Sequence, residues 1–184
     1  MLRLLAGRHR GRRLAAPEGL TTRPTAERVR QALFDMLWHA PWAGRAVVEG
    51  ATVLDAFAGT GALGLEALSR GAAQAVFFEQ DRAALAALRA NIAATREDAA
   101  CRVIAGDVLR PPRATTPATL ILLDPPYGQA FVPRALKALI DAGWIAPGAL
   151  VVAELAKADP LDLPGFETLA EREHGAARLV FLRV

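Results

Sequence analysis

From Ala51 onward the apolar positions of this chain fall into two alternating periods. Short, almost continuous apolar runs occupy 51–57, 74–79, 102–105, 118–124 and 149–154, and each reads as a buried strand. Between them, apolar residues recur at helical spacing over about 62–70, 82–96 and 133–142. Strand and helix in alternation predict an α/β fold: a doubly wound, mainly parallel sheet with helices on both faces. The end of the chain breaks the pattern. Runs at 167–173 and 176–184 flank His174-Gly175, which predicts a hairpin and an antiparallel strand closing the sheet. The stretch 110–117, rich in proline, reads as a loop.

The first forty residues follow another plan. Two apolar-flanked pieces around a Gly and Arg centre, from Leu2 to Pro17, predict a small basic hairpin. A turn at 21–25 then leads into a helix, with Thr25 as its expected N-cap and Glu27 in the first turn, where the helix dipole favours negative charge. Val29, Leu33, Met36 and Leu37 form one buried stripe, leaving Arg28, Gln31 and Asp35 on other faces. Residues 1–40 are therefore expected to be a hairpin-and-helix extension of a single domain whose main body is 41–184.

Composition narrows the class. A chain of 184 residues with 53% apolar content suits one domain with a sizeable core. The single cysteine, Cys101, excludes an internal disulfide framework, and His9, His39 and His174 lack metal-ligand spacing, so no metal is expected and a reducing, cytoplasmic setting fits. No stretch approaches the roughly 20 apolar residues needed to cross a bilayer, and the N-terminus lacks a continuous apolar segment. A monomer without membrane contact is expected.

Charge is distributed unevenly. Residues 1–30 hold Arg3, Arg8, Arg10, Arg12, Arg13, Arg23, Arg28 and Arg30 against Glu18 and Glu27, a net +6 in a chain whose total is +3. Guanidinium forks suit phosphate oxygens, so the extension is expected to bind nucleic acid, with Arg8, Arg10, Arg12, Arg13, Arg28 and Arg30 as contacts.

Two motifs carry chemistry. The run from Thr119 to Leu123 leads into Asp124-Pro125-Pro126-Tyr127. Neither proline has an N–H, and Pro126 holds Pro125 extended, so the turn is stiff and offers acceptors without donors. A planar group bearing an exocyclic NH2 would find the Asp124 carboxylate and the Pro125 carbonyl as acceptors and the Tyr127 ring as a stacking face.

The second motif, Asp55-Ala-Phe57-Ala-Gly59-Thr60-Gly61-Ala-Leu-Gly64, joins a strand to a helix through a glycine turn. Its spacing also fits a dinucleotide fingerprint, and Glu79, about twenty residues on, could accept ribose hydroxyls in either kind of cofactor. Asp55 separates the readings, because a carboxylate at the strand end suits an amino-bearing or cationic ligand better than a pyrophosphate. With Asp107 after the third strand as an acceptor for an adenine amine, every feature lies at a strand's carboxyl end, where open α/β sheets bind ligands. Together they point to methyl transfer.

At these residues the sequence resembles the class I S-adenosylmethionine-dependent methyltransferases, and among them the bacterial 16S ribosomal RNA guanine-N2 methyltransferases of the RsmD type. The likeness runs through Leu4 to Arg12, Arg23-Pro24-Thr25, Arg28-Val29-Arg30, the glycine turn on to Glu66-Ala-Leu-Ser69-Arg70-Gly71, Glu79 and the Asp-Pro-Pro-Tyr tetrad. The resemblance implies a Rossmann-like fold and S-adenosylmethionine as cofactor. It implies cofactor contacts from Asp55, Phe57, Gly59, Thr60, Gly61, Glu79, Gln80, Asp107 and Val108, with Arg23 and Thr25 closing nearby, and a target guanine held by Asp124, Pro125, Pro126 and Tyr127. The implied partner is ribosomal RNA, naked or in a small ribosomal subunit. A methyltransferase for DNA adenine or a protein glutamine, a nicotinamide-dependent oxidoreductase, and a non-catalytic RNA-binding module are the alternatives.

Overall fold

Strands of the sheet send successive side chains to opposite faces, and both faces here are apolar. In the computed structural model, which describes residues 2–17, 24–126 and 130–184, the elements are α1 (Pro24–His39), β1 (Thr52–Asp55), α2 (Ala62–Ser69), β2 (Gln74–Glu79), α3 (Arg82–Thr95), β3 (Cys101–Ala105), β4 (Ala118–Leu123), α4 (Phe131–Asp141), β5 (Ile145–Ala156), β6 (Glu167–His174) and β7 (Ala177–Arg183). One seven-stranded sheet has the order β3-β2-β1-β4-β5-β7-β6. Strands β1 to β5 are parallel, and β7 runs antiparallel between β5 and β6. The expected closing hairpin is present, but its antiparallel strand is not the edge. β7 inserts beside β5 because its buried residues Leu179 to Leu182 need cover on both faces, and the more polar β6 takes the edge.

Alternation along each strand builds two cores. Val53, Phe77, Leu120, Leu122 and Val152 face one side, packed with residues of α1, α2 and α3 and with Leu2, Leu4 and Leu14 of the N-terminal segment. Leu54, Val76, Phe78, Ile121, Leu123 and Val151 face the other, against α4 and Trp144. Burying each such side chain contributes ~1.5–3 kcal/mol relative to exposure. The Trp144 indole donates to the Pro112 carbonyl at 2.7 Å, which pins the proline-rich loop.

The basic hairpin forms as the sequence predicts. Arg3 and Arg13 make an antiparallel bridge, and the Leu4 and Leu14 amides donate across it to Arg12 and Leu2 carbonyls at 2.9 Å each. Helix α1 starts at Pro24, so Thr25 lies within its first turn and not at the N-cap position before it. A proline suits the first helical position, where its missing N–H would have no partner anyway. Val29, Leu33 and Leu37 are buried and Met36 is half-buried, while Arg28 and Asp35 are exposed, as expected.

Candidate active site

The carboxyl ends of β1 to β5 open onto a cavity of about 630 Å³. Phe57, Gly59, Thr60, Glu79, Gln80, Asp107, Val108, Asp124, Pro125 and Pro126 all line it. Two residues expected beside the ligand, Asp55 and Gly61, sit behind the wall, 1% exposed and buried respectively. Tyr127 and Arg23 lie outside the described residues, as does the side chain of Thr25.

The glycine turn is shaped by contacts that larger residues would break. Gly59 has φ +54 and open space where a Cβ would point, so its backbone can approach a ligand. Gly61 caps α2 in the left-handed region at φ +82, and a Cβ there would run into Leu88. Gly64 packs directly on the Phe77 ring, with a Cβ only 2.8 Å from Cζ. Its role is helix-to-strand approach.

Side-chain carboxylates fix this turn. Asp55 Oδ2 accepts the Gly64 amide at 2.9 Å, and Glu79 Oε2 accepts the Gly59 amide at 2.7 Å. Glu79 Oε1 takes the Gln80 and Asp81 amides at 2.8 and 2.7 Å, while Asp107 Oδ1 takes the Leu109 amide at 2.9 Å. Each acid keeps acceptor capacity beyond these bonds, since an ionised carboxylate offers about four lone-pair sites.

The electrostatics favour a donor-rich or positive ligand. Asp55 is pushed up to about 7 by burial, against the Gly64 hydrogen bond, and Glu79 adds to the rise. Its Oδ1 is buried and has no hydrogen-bond partner among the described residues. Asp124 is raised to about 8 by desolvation in the recess and then by the charges of Glu154 and Asp55. It nevertheless presents accessible surface. Water entering the cavity moderates that rise without reversing it, because both neighbouring acids push the same way. A cation, or a group supplying N–H donors, relieves the repulsion. The residues that line the cavity thus fit S-adenosylmethionine: an open glycine turn, and acids at successive strand ends.

The N-terminal segment forms part of the wall, with Leu2, Ala16, Val29, Arg30 and Leu33 lining the cavity. Arg30 was expected to face RNA, and the structure corrects this. It is 5% exposed, donates to the Arg3 carbonyl at 2.6 Å and lies 3.8 Å from Glu66, because α1 turns this position inward under the hairpin. Arg8 is half-exposed but pairs with Glu97 at 2.7 Å, and His9 reaches the same carboxylate at 2.6 Å. Among the described residues, Arg10, Arg12, Arg13 and Arg28 are exposed without an ion pair. These four remain available to an anionic partner.

Sequence reasoning missed several residues. Glu154 lines the cavity, and its signal was present, since it ends the fifth apolar run as Glu79 and Asp124 end theirs. Phe131 also lines it, with its ring centroid 5.8 Å from that of Phe57. Asn91 gave no signal on its helix. It donates to the Thr60 carbonyl at 2.9 Å and pairs both ways with the Ala15 backbone, tying the glycine turn to the N-terminal segment. Among the described residues no group of three or more His, Cys, Asp or Glu can hold a metal ion, and no helix is long and apolar enough to cross a membrane.

The family model described as conserved hypothetical protein 95 matches residues 2–183. The ribosomal RNA small subunit methyltransferase D of Escherichia coli is 39% identical over 153 residues, 83% of this chain and 74% of that protein. Its namesake from Haemophilus influenzae is 31% identical over 176 residues, 94% of this chain and 88% of that one. Among solved structures, a putative methyltransferase from Escherichia coli superposes with a TM-score of 0.84 at 34% identity, covering 99% of this chain and 97% of its own.

Proposed function

The chain belongs to the conserved hypothetical protein 95 family, and from that premise we propose that it transfers a methyl group from S-adenosylmethionine to the exocyclic N2 of a guanine in small-subunit ribosomal RNA. One observation carries the reading: Asp124 and Pro125 open into the same cavity as Gly59, Glu79 and Asp107. An amine held at the first pair therefore faces a cofactor held at the others. Relatives named as small-subunit ribosomal RNA methyltransferases support the substrate class. Such a substrate supports work in the cytoplasm, by a monomer in this reading.

Glu79 and Gln80 would hold the ribose, Asp107 and Val108 the adenine, and the turn from Phe57 to Gly61 the amino-acid end. The cofactor supplies an electrophilic methyl on a positively charged sulfur. Guanine N2 is a poor nucleophile because its lone pair is delocalised, so positioning and electrostatics must do most of the catalysis. Asp124 and the Pro125 carbonyl accept the two N2 hydrogens and direct the nitrogen toward the methyl. As the N–C bond forms, positive charge grows on nitrogen beside Asp124 and Glu154, and Asp124 is the acceptor for the departing proton. Tyr127 supplies a stacking face, worth ~1–3 kcal/mol on comparable aromatic platforms. A guanine paired in a duplex cannot enter such a recess, so the target is looped out or flipped.

The test compares methylated nucleosides in ribosomal RNA from cells with and without this protein, by mass spectrometry, followed by mapping of the position. Loss of one N2-methylguanosine is expected. An unchanged N2-methylguanosine content, with a change in another methylated nucleoside or in a protein glutamine, would transfer the assignment to that substrate.

A further inference from the structure

β4 and β5 are parallel neighbours with Leu123 opposite Ala153, so the residues that follow, Asp124 just past the end of β4 and Glu154 still within β5, lie side by side. Behind the Pro-Pro turn lies a second cavity of about 240 Å³. It shares Pro125, Pro126, Phe131 and Glu154 with the main cavity. The shared walls are two proline rings, one aromatic ring and one carboxylate. Flat apolar faces with a single charged edge suit a planar heterocycle whose rim carries N–H donors. Asp159 also lines the recess, and its backbone carbonyl is held by Arg178 Nη2 at 2.6 Å.

We propose that Glu154 selects guanine by accepting its ring N1–H, while Asp124 and the Pro125 carbonyl take the adjacent N2 amine. The proposal rests on the guanine-N2 reading above and adds a specificity-determining residue to it. Guanine is the one base whose exocyclic amine adjoins a ring N–H, so its Watson–Crick edge presents donors at both positions. Adenine and cytosine instead place a ring nitrogen lone pair beside the amine, and an ionised carboxylate repels it. Two acceptors side by side therefore match guanine and reject the other amino-bearing bases.

The test uses the full chain and small-subunit RNA, naked or assembled, in the form that the wild-type protein methylates. The target guanine is replaced with 2-aminopurine, which keeps the N2 amine but has a lone pair at N1. Single-turnover transfer by the wild type should fall at least about 100-fold, since a site built to bond a donor strongly rejects an analogue lacking it. Glu154→Gln should narrow that ratio at least about 10-fold, because its amide can donate to the bare N1. The substitution also removes O6, but that loss is common to both enzymes and cancels in the comparison. Glu154→Asp, which keeps the charge, should retain the guanine preference at a lower rate, and serves also if the Gln variant does not fold. Equal transfer to both bases by the wild type, or an unchanged ratio in a folded Glu154→Gln, overturns the role of Glu154 while leaving the methylation reading intact. Failure of the wild type to methylate guanine in the RNA at all would instead defeat the underlying reading.

Discussion

Glu66, in the middle of α2 and fully buried, accepts the backbone amide of Leu5 at 2.7 Å across sixty-one positions of chain. Its other oxygen accepts Ala6 N–H at 3.0 Å and Arg70 Nε–H at 2.8 Å, while Arg30 Nε lies 3.8 Å from the oxygen that holds Leu5. One carboxylate thus fastens the N-terminal hairpin to the glycine-turn helix. Ser69 extends the seat by accepting the His9 amide at 3.0 Å, and Gly7 lies so close to the Ser69 carbonyl that a Cβ would overlap it. Replacing Glu66 with Ala leaves two buried guanidinium groups without their carboxylate. Unfolding by urea should show a loss of about 3–5 kcal/mol, and limited proteolysis should cut the N-terminal segment first.

Burial of the Asp55 carboxylate costs the fold stability at neutral pH. Its folded value, about 7, lies above the ordinary 3.8, so the fold binds more protons than the unfolded chain. This contribution to stability is fully present below pH 3.8 and declines as pH rises toward about 7. Asp55→Asn keeps an acceptor for the Gly64 amide and removes the buried charge. At pH 8 the free protein should gain roughly 1–3 kcal/mol, read by denaturant melts, and its pH dependence should flatten. Affinity for S-adenosylmethionine should fall in the same variant, by calorimetry.

Asp124 must be ionised to accept an amine hydrogen. With a free-protein value of about 8, the rate of transfer should climb from pH 6 to above pH 8. A positively charged sulfonium beside the acids favours their ionised forms, so S-adenosylmethionine should bind with proton release at pH 7, and S-adenosylhomocysteine with less. Calorimetry in buffers of different ionisation enthalpy reads this. Asp124→Ala should lower single-turnover transfer about 10²–10⁴-fold with cofactor affinity changed only a few-fold. Activity within a few-fold of wild type would remove Asp124 from the mechanism.

Among the basic residues, pairing decides which count. Arg10, Arg12 and Arg13 are exposed and unpaired among the described residues, whereas Arg8 is held by Glu97. Changing the first three to Ala should weaken RNA binding and reduce the log–log salt slope by about 2–3. Arg8→Ala alone should move the slope less. An unchanged slope in the triple variant would exclude the hairpin as a phosphate-binding surface.

The element order was legible because buried parallel strands and amphipathic helices leave different periods in the sequence. The runs at 74–79 and 118–124 and the helical stretch at 82–96 reappear in β2, β4 and α3 within a residue. The strand-end acids were legible as well, since a parallel sheet brings every carboxyl end to one edge whatever the details of packing. Tertiary structure alone decided which charges meet. A helical position such as Arg30 or Glu66 reads as surface from its type, yet the hairpin folding over α2 buries both and makes them partners. Asp55 and Gly61 sat in the right motif but on its inner side, a difference set by how closely Gly64 lets the helix approach Phe77. Glu154 became a neighbour of Asp124 through strand register, which no local pattern encodes. Local sequence determines period, stiffness and which strand ends carry acids. Long-range packing determines burial, and burial sets which of those charges are free to act.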